Sequence, residues 1–251
     1  MIELQQVTKH FPVENGDPKV AVDGVSLSIK EGETLCLIGT SGCGKTTLLK
    51  LMNRLQELTS GSIQIDGEDH TSLDPIALRR KMGYVIQEGG LFPHMTIAQN
   101  IGLLCKLESW PEQKKQNRVD ELMNLVNLAP DEFAPRYPNE LSGGQRQRVG
   151  VARALALSPR YLLMDEPFGA LDPITRESIH EEFLQLRKQV SITTVIVTHD
   201  LREASKLGDR VALMDHGKVV QCGKPEELVN QPANDFVRDF VKRMTLQAPS
   251  V

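Results

Sequence analysis

Three short segments combine residue types that bind phosphate groups or act on them. The first is GTSGCGKT, a GxxxxGKT pattern that begins at Gly39. Gly39, Gly42 and Gly44 allow the backbone to wrap closely, so that its N–H groups can converge on a polyphosphate. Lys45 can reach the β- and γ-phosphates of a nucleotide, and the Thr46 hydroxyl can ligate Mg²⁺. The segment predicts a nucleotide-binding loop; the alternative is a chance glycine turn before a helix.

The second segment, YLLMDEP, places two acidic residues after a short apolar run. In open α/β sheets, ligands bind at the carboxyl ends of the strands. Asp165 is therefore placed to hold Mg²⁺, directly or through water, and Glu166 can polarise a water for attack on the γ-phosphate. The alternative is an ordinary Asp-Glu-Pro turn that caps the next helix.

The third segment, LSGGQRQR, opens a predicted helix with Ser142, Gly143 and Gly144. A hydroxyl and free backbone N–H groups at a helix N-terminus form a second anion site. Two anion sites in one chain suggest a nucleotide held between two copies of the protein. A plain N-cap followed by two flexible glycines explains the same residues equally well, so both interpretations stay open.

The surrounding pattern predicts the elements that position these segments. Short apolar runs at 34–38, 161–165 and 193–199 are typical of strands buried on both faces. Helices are predicted between them from two spaced apolar sets, which are Leu48, Leu51, Met52 and Leu55, and Ile179, Phe183 and Leu186. Strands that alternate with helices imply a largely parallel sheet.

The remaining elements complete the predicted layout. Two strands open the chain, and Asp66-Gly67 and His216-Gly217 mark hairpins. From about 88 to 160 the pattern is mostly helical, with a proline-rich break at 130–138, and a terminal helix carries Phe236, Phe240, Val241 and Met244. We predict one domain over 1–251: an α/β core with a β subdomain (1–87 and 161–251) and a helical subdomain (about 88–160).

Composition excludes several classes of protein. The 251 residues carry 29 Lys+Arg against 33 Asp+Glu, a net charge of −4, with 40% hydrophobic residues, as in ordinary globular domains. The acidic balance and the 4% aromatic content argue against a nucleic-acid partner. The sequence lacks a run of about 20 apolar residues and a signal-peptide pattern, so a cytoplasmic protein is expected. Its four cysteines form no CxxC pair and are expected to be reduced thiols.

Taken together, the motifs resemble the nucleotide-binding subunit of an ABC transporter. The set comprises GTSGCGKT, Gln87, LSGGQ, YLLMDEP, GALD and His199, in the order of that family. The resemblance covers nearly the whole chain. It implies a P-loop NTPase (RecA-like) α/β core with an antiparallel β subdomain and a helical insertion subdomain. It also implies a head-to-tail homodimer that binds ATP and Mg²⁺ between its copies.

The same resemblance implies further residue roles. Phe11 stacks on adenine, although a lone Phe at a strand end is usually a core residue. Gln87 contacts Mg²⁺ and the attacking water, Glu166 is the general base, His199 contacts the γ-phosphate, and Asp172 crosses the dimer interface. The implied nucleotide-binding set is Gly39, Thr40, Ser41, Gly42, Cys43, Gly44, Lys45, Thr46 and Thr47, with Ser142, Gly143, Gly144, Gln145 and Asp172 from the other copy. The implied Mg²⁺ ligands are Thr46, Gln87 and Asp165.

A finer resemblance concerns the transported solute. The stretches 84–101, 164–176 and 232–240 are similar to importer subunits for glycine betaine, choline and related quaternary amines. This implies an ATPase at the cytoplasmic face of the membrane. A permease would hold it there, and a secreted binding protein would deliver the solute to that permease. Some relatives continue into C-terminal regulatory domains, whereas this sequence stops at Val251, so osmotic gating through such domains is not expected from the sequence given. An importer of another small solute such as an amino acid, a P-loop kinase and a non-transport ABC protein are the alternatives.

Overall fold

The computed structural model describes residues 1–14, 16–86 and 90–246. These residues divide into two compact units, Met1–Arg79 with Thr193–Val251, and Arg80–Ile192. In chain order the elements are β1 (Ile2–Phe11), β2 (Lys19–Ile29), β3 (Thr34–Gly39), α1 (Lys45–Met52), β4 (Ser60–Ile65), β5 (Glu68–Asp69), α2 (Pro75–Arg80), β6 (Met82–Val85), α3 (Ile97–Leu107), α4 (Glu112–Leu125), α5 (Pro130–Phe133), α6 (Gly143–Ala154), β7 (Tyr161–Asp165), α7 (Pro173–Gln189), β8 (Thr193–Val197), α8 (Leu201–Leu207), β9 (Arg210–Asp215), β10 (Lys218–Gly223), α9 (Pro225–Asn230) and α10 (Asp235–Leu246). The division does not test the predicted subdomain boundaries, which stay a prediction.

The first unit contains an antiparallel sheet with strand order β2-β1-β4-β5. Ile2 pairs with Ile29 on one side and with Ile65 on the other, and all three side chains are buried. Asp66 and Gly67 have φ angles of 54° and 83°, as a two-residue hairpin turn requires. The predicted hairpin is therefore confirmed.

The same unit contains a mainly parallel group of strands in the order β10-β9-β3-β8. Every residue of β3 and of β8 is buried, as predicted for strands covered on both faces. The antiparallel pair of β9 and β10 turns at His216 and Gly217, whose φ angles are 42° and 82°. This second predicted hairpin is also confirmed.

One helix prediction in this unit extends too far. α1 ends at Met52, and Leu55 lies beyond it with 47% of its surface exposed. The chain turns at Arg54, whose φ is 52° and whose Nη1 donates to the carbonyls of His70 and Leu73. These partners lie 16 or more residues away, so a local periodicity could not reveal them.

The second unit combines a parallel strand pair, β6 and β7, with helices α3 to α7. The sequence predicts a break in the helices at 130–138, and this prediction is only partly correct, because residues Pro130–Phe133 of that segment form the short helix α5. Pro130 occupies the first turn of α5, where its missing N–H costs no hydrogen bond. Pro138 opens a 3₁₀ turn that leads to Leu141 and the third motif.

The predicted terminal helix is present as α10, but its buried face is only partly as predicted. Phe240 and Val241 are buried, and so is Val237, which the prediction omitted, whereas Phe236 and Met244 are half-buried. All four cysteines lie in the described residues and are unbridged. None of the helices in the described part of the chain combines the length and the apolar character needed to cross a bilayer.

Candidate functional site

The GTSGCGKT loop follows β3 directly, and its glycines adopt conformations that other residues rarely reach. Gly39 has a φ of 146° and Gly44 a φ of 107°. A Cβ at Gly39 would lie 2.1 Å from the carbonyl oxygen of Met214, and one at Gly44 would lie 2.1 Å from that of Ala21. The backbone can follow this path only because these positions have no side chain.

Lys45 lies inside this loop and is 6% exposed. Its Nζ donates to the carbonyls of Gly39 at 2.9 Å and Thr40 at 3.0 Å, so the loop closes around an ammonium group. The Sγ of Cys43 lies 3.7 Å from the same nitrogen, and burial raises the pKa of that thiol. A buried cation in a glycine loop that leads into a helix N-terminus suits a polyphosphate.

The first turn of α1 completes the loop. Its N-cap is Gly44, which offers no side-chain acceptor, so backbone N–H groups at this end depend on another partner. Thr46 and Thr47 are half-buried on this turn. The hydroxyl oxygen of Thr46 is a hard ligand of the kind that Mg²⁺ prefers. The residues of the first unit therefore fit both a nucleoside triphosphate and the Mg²⁺ ion that accompanies it.

His199 lies just beyond β8 and Asp215 ends β9, the two strands that flank β3. β8 and β9 both run parallel to β3, and the N–H of Thr198 donates to the carbonyl of Leu37 at 3.0 Å. His199 is exposed at the same edge of the strands as the loop. Asp215, which the sequence analysis missed, accepts from the Thr40 hydroxyl at 3.5 Å. Its position at the end of an apolar run was the signal available.

Phe11 ends β1 and is half-buried. It pairs with Lys19 of β2, two residues before Ala21, whose carbonyl meets Gly44. The Nζ of Lys9 lies 5.1 Å from the centre of its ring. The ring is thus a partly exposed aromatic surface in the same unit as the loop, and its role in adenine binding stays a prediction.

In the second unit, Asp165 ends β7 and Glu166 follows it. Both are half-buried. Glu166 has a φ of 44°, a left-handed conformation that costs energy for a residue with a side chain and that recurs at active sites as well as in turns. On the neighbouring strand, Tyr84 lies near Asp165. Burial and the negative charge of Asp165 raise the pKa of the Tyr84 phenol, so it stays protonated. Gln87 lies outside the described residues.

Ser142 is the N-cap of α6 and forms a capping box with Gln145. The Ser142 hydroxyl accepts from the N–H of Gln145 at 3.3 Å, and the Gln145 side chain accepts from the N–H of Ser142 at 2.9 Å. The plain N-cap interpretation is therefore correct for the chain alone. Ser142 is also exposed, so the structure leaves its hydroxyl accessible to another molecule.

Asp172 caps the neighbouring helix α7 and is exposed. Its carboxylate accepts from the N–H of Thr175 at 3.0 Å, and the hydrogen bonds from Thr175 lower its pKa. A Cβ at Gly144 would lie 2.7 Å from Cγ2 of Thr175, so α6 and α7 pack closely near their first turns. The second unit thus brings Ser142 and Asp172 to one end of a helix pair.

Comparison with known proteins identifies the class. A family model described as "ABC transporter" matches residues 22–169, more than half of the chain. The chain therefore belongs to the ABC transporter family, and the predicted fold is confirmed. The ATP-binding cassette MJ0796, in a dimeric post-hydrolysis state bound to ADP and Pi, is 35% identical. It superposes with a TM-score of 0.80 over 90% of this chain and 99% of that one.

Two curated relatives from Bacillus subtilis narrow the comparison. The glycine betaine/carnitine/choline transport ATP-binding protein OpuCA is 54% identical over 98% of this chain and 63% of its own length. The choline transport ATP-binding protein OpuBA is 53% identical over 100% of this chain and 65% of its own length. The chain thus spans less than two thirds of the length of these relatives. Its resemblance to quaternary-amine importers is confirmed at the level of sequence.

Proposed function

We propose that this protein is the ATP-hydrolysing subunit of an ABC importer that takes up a quaternary amine such as glycine betaine, choline or carnitine. The observation that carries the ATPase part is the loop around Lys45, where an ammonium group is buried against two backbone carbonyls. The solute class is supported by the two relatives with 54% and 53% identity.

In the proposed reaction, the first unit grips the triphosphate. The N–H groups of the loop and the α1 N-terminus bind its oxygens, and Lys45 moves from the loop carbonyls to the β- and γ-phosphates. Phe11 stacks on the adenine, and His199 donates to the γ-phosphate. Mg²⁺, when held by Thr46, Asp165 and Gln87, would neutralise charge on the phosphates.

Glu166 acts on the attacking water in this proposal. As a carboxylate it accepts the proton of the water and so makes the oxygen a stronger nucleophile toward the γ-phosphate. Its left-handed backbone, with a φ of 44°, supports this assignment because such strain persists where a function requires it.

A second copy completes the site in our proposal. Ser142, Gly143, Gly144 and Gln145 would face the γ-phosphate of the other copy, and Asp172 would lie at the same interface. The dimeric state of the related cassette MJ0796 supports this arrangement. Closure with ATP and opening after hydrolysis would then form a phosphate-controlled switch.

The permease would receive this motion at a groove in the second unit. The groove between α3 and α4 has a volume of about 410 Å³ and is lined in part by His94, Met95, Lys106, Glu112 and Lys115. His94 and Met95 belong to the stretch 84–101, which resembles the importer subunits. With two lysines against one glutamate, the groove favours a short helix that carries an acidic residue. Through this contact the protein would work at the cytoplasmic face of the membrane.

The ATPase proposal is tested by Glu166→Gln, which keeps the size of the side chain but removes the base. We expect steady-state hydrolysis to fall by about 10²-fold or more, while ATP binding, followed with a fluorescent nucleotide, stays intact. Near-normal turnover in this variant would remove Glu166 from its role. Phosphate transfer to an acceptor other than water would favour a kinase.

The solute is tested in cells of the source organism that lack this chain. Uptake of radiolabelled glycine betaine and choline should return when the normal chain is restored and should not return with Glu166→Gln. Proline serves as the competing amino-acid solute. Restoration of proline uptake alone would overturn the quaternary-amine assignment while leaving the ATPase proposal standing.

A further inference from the structure

Strand register places Tyr84 on the same sheet face as Asp165. β6 and β7 are parallel, and Tyr84 is paired with Leu163. Side chains two residues apart on a strand point to the same face, so Asp165 lies diagonally across from Tyr84. Nothing in the motif analysis singled out Tyr84.

The Tyr84 hydroxyl is a buried donor without a settled partner. Among the described residues, its oxygen is inaccessible to solvent and makes no hydrogen bond of standard geometry. The strand register nevertheless places Asp165, which ends β7, on the same sheet face as this hydroxyl and one diagonal step away. Buried hydroxyls are normally hydrogen-bonded, and hydrogen bonds at catalytic sites are often long before the ligand binds.

We propose that Tyr84 is a positioning residue for Asp165, an inference that rests on the proposed binding of Mg²⁺ and nucleotide. Its hydroxyl donates to one carboxylate oxygen of Asp165 once the metal and nucleotide are bound. A carboxylate has two oxygens that can accept hydrogen bonds or ligate a cation. A donor that holds one of them restricts rotation of the group and directs the other oxygen to its ligand.

The test is Tyr84→Phe, which removes only the hydroxyl. Binding of a fluorescent ATP analogue is measured against Mg²⁺ concentration in a Glu166→Gln background, so that hydrolysis does not interfere. We expect the Mg²⁺ concentration for half-maximal enhancement to rise about 10-fold, the lower end of the effect of losing a ligand-orienting partner. Nucleotide affinity in EDTA should stay unchanged.

Tyr161→Phe is the matched control. Tyr161 is also a strand tyrosine, 1% exposed, but it begins β7 and lies four residues before Asp165. We expect this variant to keep the normal Mg²⁺ dependence, even if it unfolds at a lower temperature. An equal shift in both variants would mean that loss of a buried hydroxyl acts through general stability, and the inference would be wrong.

A double-mutant cycle with Asp165→Ala, which removes the acceptor of the proposed hydrogen bond, keeps the inference testable if Tyr84→Phe weakens the fold. If Tyr84 acts through the carboxylate, adding Tyr84→Phe to Asp165→Ala should not raise the Mg²⁺ concentration for half-maximal enhancement any further. Additive effects would overturn the inference. If Glu166→Gln binds nucleotide in a Mg²⁺-dependent way and adding Tyr84→Phe leaves the half-maximal Mg²⁺ concentration unchanged, only this inference fails. If no form binds nucleotide, the proposed function fails as well.

Discussion

Two helix N-termini in this molecule are built in opposite ways. α1, in the first unit, begins after Gly44 with no side-chain cap, beside the buried Lys45. α6, in the second unit, begins after Ser142, and its capping box satisfies local backbone groups. The α1 end therefore has no side-chain acceptor of its own to offer its first N–H groups, whereas the α6 end has a local cap for the N–H of Gln145. The difference suggests that the first binds nucleotide on its own and the second acts only when a nucleotide-loaded copy approaches.

The largest expected effect is on the free energy of unfolding, and it differs between the glycine at the α1 end, Gly44, and the glycine at the α6 end, Gly144. Gly44→Ala would place a Cβ 2.1 Å from a backbone oxygen at a φ of 107°, so we expect a loss of about 3 kcal/mol or more in the free energy of unfolding. In Gly144→Ala the new Cβ would lie 2.7 Å from the Cγ2 of Thr175, which is a side-chain atom that can shift. We therefore expect this variant to lose about 1 kcal/mol in the free energy of unfolding. Chemical denaturation measures both.

A rescue variant checks the cause of the smaller loss. Thr175→Ser removes the Cγ2 atom that meets the new methyl group, so it should recover most of the stability of Gly144→Ala. Because Gly44 meets backbone rather than a side chain, Thr175→Ser should leave Gly44→Ala unchanged. Equal losses at the two glycines would remove the distinction between the two ends.

Much of this architecture could be predicted because its signals are local. The buried strands β3 and β8, the two hairpin turns and the glycine loop each follow from a few consecutive residues. The Ser142 capping box is equally local, since Gln145 stands three residues later. What could not be predicted depends on distant parts of the chain. The register that places Tyr84 beside Asp165 joins strands that are more than 70 residues apart.

The next prediction separates the two roles of Ser142. Ser142→Ala removes the cap and should cost about 1 kcal/mol of stability, whereas Ser142→Asn keeps a capping side chain and should cost little. If the hydroxyl also binds the phosphate of a second copy, the Asn variant should stay stable but lose ATPase activity by about 10-fold or more. Denaturation and steady-state hydrolysis are compared in parallel. Normal activity in the Asn variant would leave Ser142 as a cap alone.

The smallest expected effect concerns Asp172. Its pKa is lowered in the folded state by the hydrogen bonds from Thr175, so its stabilising contribution is present above the unfolded-state pKa and is lost as the pH falls through the folded-state value. Asp172→Asn keeps the cap but cannot ionise. Between pH 6 and pH 3 (about the range that spans an Asp pKa), the melting temperature of the normal chain should therefore fall slightly more than that of the variant. Parallel pH profiles would contradict this assignment.

The central claim is that nucleotide joins two copies through the α6 end. The direct measurement is the mass of the Glu166→Gln variant by light scattering, with and without ATP and Mg²⁺. The chain has a mass of 27.9 kDa. The account predicts this value without nucleotide, twice this value with ATP and Mg²⁺, and a return to the single mass when Ser142→Ala is added. A variant that binds ATP and Mg²⁺ but stays at 27.9 kDa at every protein concentration would contradict it.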